Sequence, residues 1–252
     1  EGPDPEAFGS FFSARGDAAT RVFYAMPDIH NPTGLRYSEE RKRAIAALAR
    51  KLDVFVIEDD YLSELDPSRT PRFVDLLPER TLWIKSLSKT TAPGIRIGVL
   101  SSPPSLRPRL DAIRAEVDPE PATWLQLFAA RLLDSELFDR HLSGCVEIAA
   151  RRRLELSSLI GRFPWLACDG GSRGFNLWLR SERPLDLPSP PWAPGRGFGL
   201  GASLKNYLRL SFMAMGEAEW PGALSRLERA LLACGPASPV GASLGNAKES
   251  GR

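Results

Sequence analysis

Short, continuously apolar runs separated by a helical segment and loops mark the first part of this 252-residue chain as a mixed α/β fold on a mostly parallel sheet. Residues 21–26, 54–57 and 81–85 are such runs, and unbroken rather than alternating apolarity suits strands covered on both faces. Helical periodicity over 104–163 then gives way to short strands, which predicts a smaller α+β unit after the sheet. The expected division is a sheet unit at 1–150, a small unit at 151–235 and a disordered tail at 236–252.

Taken in order, residues 1–20 carry Gly and Pro and read as a loose lead-in. Arg21 to Met26 is a strand ended by Pro27 and a polar turn through Gly34. A helix follows, capped by Ser38 and carrying Ile45, Ala46, Leu48 and Ala49 on its apolar face. Val54–Ile57 is the second strand, followed by the acids Glu58, Asp59 and Asp60, then Tyr61 and loop to Pro78. The third strand spans 81–85 and the fourth runs from Ile95 to Ser101. Leu125, Leu127, Phe128, Leu132, Leu133 and Leu137 predict two or three amphipathic helices within 104–163. Residues 165–179 read as two short strands around a glycine turn, 184–195 as a Pro-rich loop, 207–212 as a strand and 217–232 as a closing helix.

Composition narrows the function classes. The 33 basic and 31 acidic residues nearly cancel, so no global field toward nucleic acid or membrane is expected. Arg151, Arg152 and Arg153 read as the solvated face of a helix. Three cysteines without CxxC spacing predict reduced thiols in a cytoplasmic protein, and two distant histidines, His30 and His141, predict no metal site. No apolar run approaches the ~20 residues of a membrane span. The first residue is Glu1, so the sequence reads as a trimmed chain or a part of a longer one.

Four clusters at strand ends carry chemistry. His30-Asn31-Pro32-Thr33-Gly34 offers an amide on a constrained turn, or an ordinary β-turn. Three adjacent acids before Tyr61 repel one another unless a cation meets one of them; the alternative is a solvated acidic loop. Ser86, Ser88, Lys89 and Arg96 lie near the carboxyl end of the third strand, where open α/β sheets bind ligands, and suit a phosphate beside a reactive amine. Arg209, inside an apolar strand, needs an anionic partner, either a ligand or an internal ion pair. Together they describe a pyridoxal phosphate site: a carboxylate for a ring cation, a phenol and an amide for a ring oxygen, a lysine for an imine, and Arg with Ser for a phosphate.

The order HNPTG, EDDY, SLSK…PGIRIG and LRLSF resembles the class I/II aminotransferases, the fold type I pyridoxal-phosphate enzymes, over about 21–232. The resemblance implies part of that fold's large domain followed by a small α+β domain. It implies Lys89 as the imine-forming lysine and proton shuttle, with Asp59 pairing the pyridinium nitrogen. Asn31 and Tyr61 would hold the ring's phenolic oxygen, while Ser86, Ser88 and Arg96 bind the phosphate. Arg209 would clamp the carboxylate of an amino acid, with 2-oxo acids as the other substrates and a homodimer as the full-length form. EDDY without an intervening residue is similar to the aminotransferase-like domain of MocR/GntR-type transcription regulators, and on that likeness Asp59 rather than Glu58 takes the ring nitrogen. In that reading the domain senses a ligand, and nucleic acid is bound only through a winged helix upstream of this sequence.

Two departures from the family matter. Nothing before Arg21 supplies its N-terminal half, with the glycine-containing phosphate loop and the aromatic that stacks on the ring. The segment between Arg180 and Tyr207 is short, with WAPGRGFGL as the remnant of a strand. The sheet should therefore expose apolar surface where strands are missing. Three readings stand: an aminotransferase in part, a regulator's sensing domain, and a degenerate inactive fragment.

Overall fold

The computed structural model describes residues 2–14, 20–66, 70–118, 122–185, 192–199 and 204–234. The tail expected at 236–252 and residues 186–191 of the Pro-rich loop lie outside these residues.

The lead-in is not loose. Helix α1, Pro5–Ser13, starts where Asp4 accepts from Ala7 N–H (2.9 Å), with Pro5 as its first residue. Phe8 and Phe12, one turn apart, bury the same face. Strand β1, Arg21–Ala25, is followed by helix α2, Glu39–Lys51, capped as expected by Ser38 (3.1 Å from Arg41 N). Strand β2, Val54–Asp60, runs through all three acids instead of ending before them. A 3-10 turn at Ser63–Leu65 and the short helix α3, Phe73–Leu76, occupy the stretch read as loop. Strand β3 is Thr81–Ser86, and β4, Gly98–Ser101, begins later than expected because Pro93–Ile95 forms a 3-10 turn.

These strands lie side by side in the order β1-β2-β3-β4, with the first three parallel and β4 antiparallel. Among the described residues helices cover one face only, where cover on both was expected. Ala25, Val54 and Val56 point to that face and pack with Phe8, Phe12, Ile45, Ala49, Phe73 and Leu77. The registers place Val22, Tyr24, Ile57, Asp59, Ile84, Ser86 and Leu100 together on the opposite face. There Val22, Tyr24, Ile84 and Leu100 are exposed. Continuous apolarity is needed only where both faces are covered, so these strands carry an apolar face that the described residues do not bury.

Three helices follow: α4, Arg107–Val117, α5, Thr123–Leu133, and α6, Glu136–Ile160. No residue of α4 is buried, and Trp124, Leu127 and Phe128 of α5 are exposed. The second sheet has strands β5, Leu166–Cys168, β6, Asn176–Ser181, β7, Trp192–Pro194, and β8, Tyr207–Ser211. They pair antiparallel in the order β5-β6-β8-β7, so WAPGRGFGL retains one short edge strand. Helix α7, Trp220–Cys234, is the last described element. Its Leu227 and Leu231 pack with Leu156 and Ile160 of α6 and with Leu177, Leu179, Leu208 and Leu210 of the sheet.

The three arginines of α6 are not one solvated face. Arg151 is exposed, but Arg152 is buried and donates to the carbonyls of Phe212 and Met215 (2.8 Å each). Arg153 donates to the carbonyls of Arg173 and Gly174 (2.8 Å each). The two sheets meet where the turn after β1 lies against the β5–β6 connection: Gly171 N–H donates to Thr33 O (2.8 Å). A Cβ at Gly171 would lie 2.2 Å from Gly34 O, so only glycine permits this backbone approach. Asp66 accepts from Arg36 (3.0 Å) on one side and Arg173 (2.8 Å) on the other.

Candidate active site

Strand alternation sorts the three consecutive acids. Glu58 and Asp60 face the helices, and Asp59 faces the open side. The fully buried Glu58 carboxylate accepts from Phe73 N–H and Val74 N–H (2.9 Å each) at the start of α3. Burial pushes its carboxyl up to about 7, against the opposing pull of those amides. Asp60 accepts from Trp83 Nε1 (3.0 Å), Ser63 N–H (3.1 Å) and Lys85 Nζ (3.4 Å). Neither is free for a ligand. Asp59 instead accepts from the Tyr24 hydroxyl. Burial, and then the adjacent Asp59, hold that phenol well above its usual range.

Tyr24 was not among the residues singled out from the sequence. The signal was present: Val22 and Tyr24 alternate with Phe23 and Ala25, and a tyrosine on an apolar face brings a polar tip.

Beside Asp59, the chain folds back from the second sheet. Arg209, in the middle of β8, donates from Nη1 to Asn31 Oδ1 in the turn after β1 (2.9 Å). The guanidinium lies 4.8 Å over the ring of Phe198. Its Nε is buried without a hydrogen-bond partner among the described residues, as is the Tyr61 hydroxyl. The internal ion pair considered for Arg209 is not formed with any described carboxylate. Burial lowers the Arg209 pKa, and burial raises that of Tyr61 to about 12, offset by Arg209 and assisted by Asp59. The Asn31 hydrogen bond to Arg209 and the charge interactions of Tyr61 with Arg209 and Asp59 join these four residues in one neighbourhood. His30 closes the turn, its Nδ1 2.8 Å from Thr33 Oγ1, and burial lowers its pKa.

The remaining sequence-predicted residues sit at the end of β3. Ser86 is the last residue of that strand, two places beyond Ile84, which registers with Asp59. Two residues along a strand put it roughly 7 Å further toward the carboxyl end on the same face. Ser88 N–H donates to Ser86 Oγ (3.4 Å), and the turn closes by Thr91 N–H and Oγ1 donating to Leu87 O (3.0 and 2.6 Å). Lys89 is exposed. The burial that would make its amine reactive is therefore not supplied by the described residues. Arg96 is exposed in a left-handed conformation (φ 50°), and points no ion pair at a described carboxylate.

Two orphaned buried polar atoms, an acceptor carboxylate and a hydroxyl-rich turn with an amine and an arginine are groups of the kind that can hold an anionic, polar ring compound. Among the described residues, no group of three or more His, Cys, Asp or Glu could hold a metal ion. No helix among them is long and apolar enough to cross a membrane.

Known proteins resemble this chain in sequence and in fold. The aromatic-amino-acid aminotransferase 1 of Thermococcus litoralis is 25% identical over 222 residues, covering 82% of this chain and 53% of that protein. The HTH-type transcriptional regulator YdfD of Bacillus subtilis is 30% identical over 210 residues, covering 79% of this chain and 44% of that protein. The chain thus spans about half the length of the curated relatives it matches. Among solved structures, the α-aminoadipate aminotransferase LysN of Thermus thermophilus superposes with a TM-score of 0.78 at 21% identity, over 92% of this chain and 63% of that one. The kynurenine aminotransferase of Pyrococcus horikoshii gives 0.75 at 23%, over 92% and 61%. These likenesses establish the fold type I architecture. The sequence matches the family described as Aminotransferase class I and II over residues 16–183, more than half its length, and the chain belongs to that family.

Proposed function

We propose that this chain carries the cofactor and substrate groups of a pyridoxal 5′-phosphate-dependent aminotransferase, moving an amino group between an amino acid and a 2-oxo acid. The observation that carries the reading is the Asn31–Arg209 hydrogen bond, which joins the two sheets beside Asp59 and Tyr61 and leaves Arg209 Nε without a partner. A half-buried guanidinium with an unused edge calls for a bidentate anion such as a carboxylate.

The residues fit the cofactor. When bound, pyridoxal 5′-phosphate supplies an electron-accepting ring and a carbonyl carbon that takes up the amino group. Asn31 spends Oδ1 on Arg209, so its amide nitrogen is left to donate to the ring oxygen, with the unpartnered Tyr61 hydroxyl as the second donor. Asp59 accepts from the ring nitrogen, held in place by Tyr24. Ser86, Ser88 and Arg96 bind the phosphate at the end of β3. Lys89 Nζ carries the cofactor and moves the proton at the substrate carbon. Arg209 fixes the substrate carboxylate.

In this reading the covering of the open face, a homodimer and a cytoplasmic setting belong to the working protein. Exposed Trp124, Leu127 and Phe128 support an apolar partner surface. A division at about residue 150 would fall within α6, which spans 136–160 and packs against the 3-10 turn at Ser63–Leu65 and against β5. The likeness to YdfD favours a second reading, a ligand-sensing domain using the same groups.

Adding pyridoxal 5′-phosphate and then single L-amino acids to the protein, with the 2-oxo acid product quantified, tests the proposal. One 2-oxo acid per cofactor, lost in Arg209→Ala, is expected. A visible cofactor band without any 2-oxo acid would favour the sensing domain, and no band with any amino acid would overturn both.

A further inference from the structure

We propose that His141 is a positioning residue for Lys89, acting through the backbone of the lysine turn; the proposal rests on the reading of Lys89 given above. His141 lies on α6, and its Nε2 is 2.9 Å from the carbonyl oxygen of Thr90, the residue after Lys89. A carbonyl only accepts, so Nε2 carries the proton and donates. The Cys145 Sγ, one helical turn along, lies 3.5 Å from the same nitrogen and adds a weak second acceptor.

The placement gives the contact leverage. Thr90 is 1% exposed while Lys89 beside it is exposed, so the backbone is pinned on one side and the amine is free on the other. The turn's bonds at Leu87 and Thr91 are made within residues 87–97, whereas His141 reaches it from 51 residues away. Further along the same helix, Arg152 and Arg153 hold carbonyls at Phe212 and at Arg173 and Gly174. One helix therefore braces both the Lys89 turn and the end of the strand that carries Arg209. Through His141 it sets the separation between the amine and the carboxylate clamp.

Hydrogen exchange at the Thr91 amide and the ¹³C resonance of reductively methylated Lys89 test this without cofactor. His141→Ala and His141→Asn should speed Thr91 exchange about five-fold and move the Lys89 signal, while β2 amides and the Tm stay unchanged. His141→Gln, whose amide reaches the carbonyl, should restore both. Unchanged exchange and an unmoved Lys89 signal in folded His141→Ala and His141→Asn would overturn the proposal. Equal acceleration across β1, β2 and β3 would overturn it too, by marking a general structural role. Failure of the Lys89 chemistry itself would appear separately, as absent cofactor labelling of Lys89.

Discussion

The two faces of the first sheet share strands, yet one is a packed core and the other is left open by the described residues. On the helix face Glu58 and Asp60 sit in consecutive alternate positions, and each has several donors. On the opposite face Asp59 meets only a tyrosine hydroxyl among the described residues, amid exposed Val22, Ile84 and Leu100. Identical chemistry on adjacent residues is therefore structural on one side and available on the other. Acids that look equivalent in sequence must be assigned by the face they occupy.

The comparison can be broken most forcefully by packing. Phe73, fully buried against β1 and β2, should cost about 3–5 kcal/mol when changed to alanine, whereas Val22→Ala on the open face should cost under about 1 kcal/mol. Urea unfolding of the two variants measures this, and equal losses would mean the open face is packed in solution.

Glu58 gives the next effect. Its folded pKa of about 7 lies above the usual 4.5, so the folded state favours the protonated carboxyl. Its contribution is complete below the unfolded value, falls as pH rises, and is lost once pH passes about 7. Between pH 4.5 and 8 the native protein should lose roughly 1–3 kcal/mol that Glu58→Gln does not lose, read as the difference between their unfolding curves. Parallel curves would mean that burial does not raise the Glu58 carboxyl.

Arg209→Lys should weaken binding of an α-amino acid about 10- to 100-fold, because a point charge cannot replace the fork that holds a carboxylate. Its unfolding midpoint should hardly move, and calorimetric titration separates the two. The smallest effect is expected at Tyr24→Phe. Removing a donor at an exposed position should change stability by less than about 1 kcal/mol, while loosening Asp59 enough to reduce cofactor affinity a few-fold. A large loss of stability would mean that Tyr24 is structural.

Local signals were legible. The parallel strands followed from apolar runs, and the start of α2 from Ser38, whose cap is made within three residues. The helix α1 was equally local, since Asp4, Pro5, Phe8 and Phe12 are a cap and a one-turn apolar pair, but Gly and Pro nearby obscured it. Partners distant in sequence were not legible from the residues themselves. Glu58 is held by amides at 73 and 74, and Arg209 meets Asn31 across 178 residues. The site assignment therefore leaned on the order of motifs. Exposed apolar surface was expected from the strands the family has and this sequence lacks, but not which face is open, because an apolar strand reads the same whether or not something covers it.

The central claim is that Lys89, though exposed, is the amine this site directs at the cofactor. Borohydride reduction of the protein with stoichiometric pyridoxal 5′-phosphate, followed by peptide mapping, tests it most directly. The account predicts the reduced adduct on Lys89 and its absence from Lys89→Ala. Labelling spread evenly over Lys89 and other exposed lysines such as Lys51 and Lys205 would contradict it.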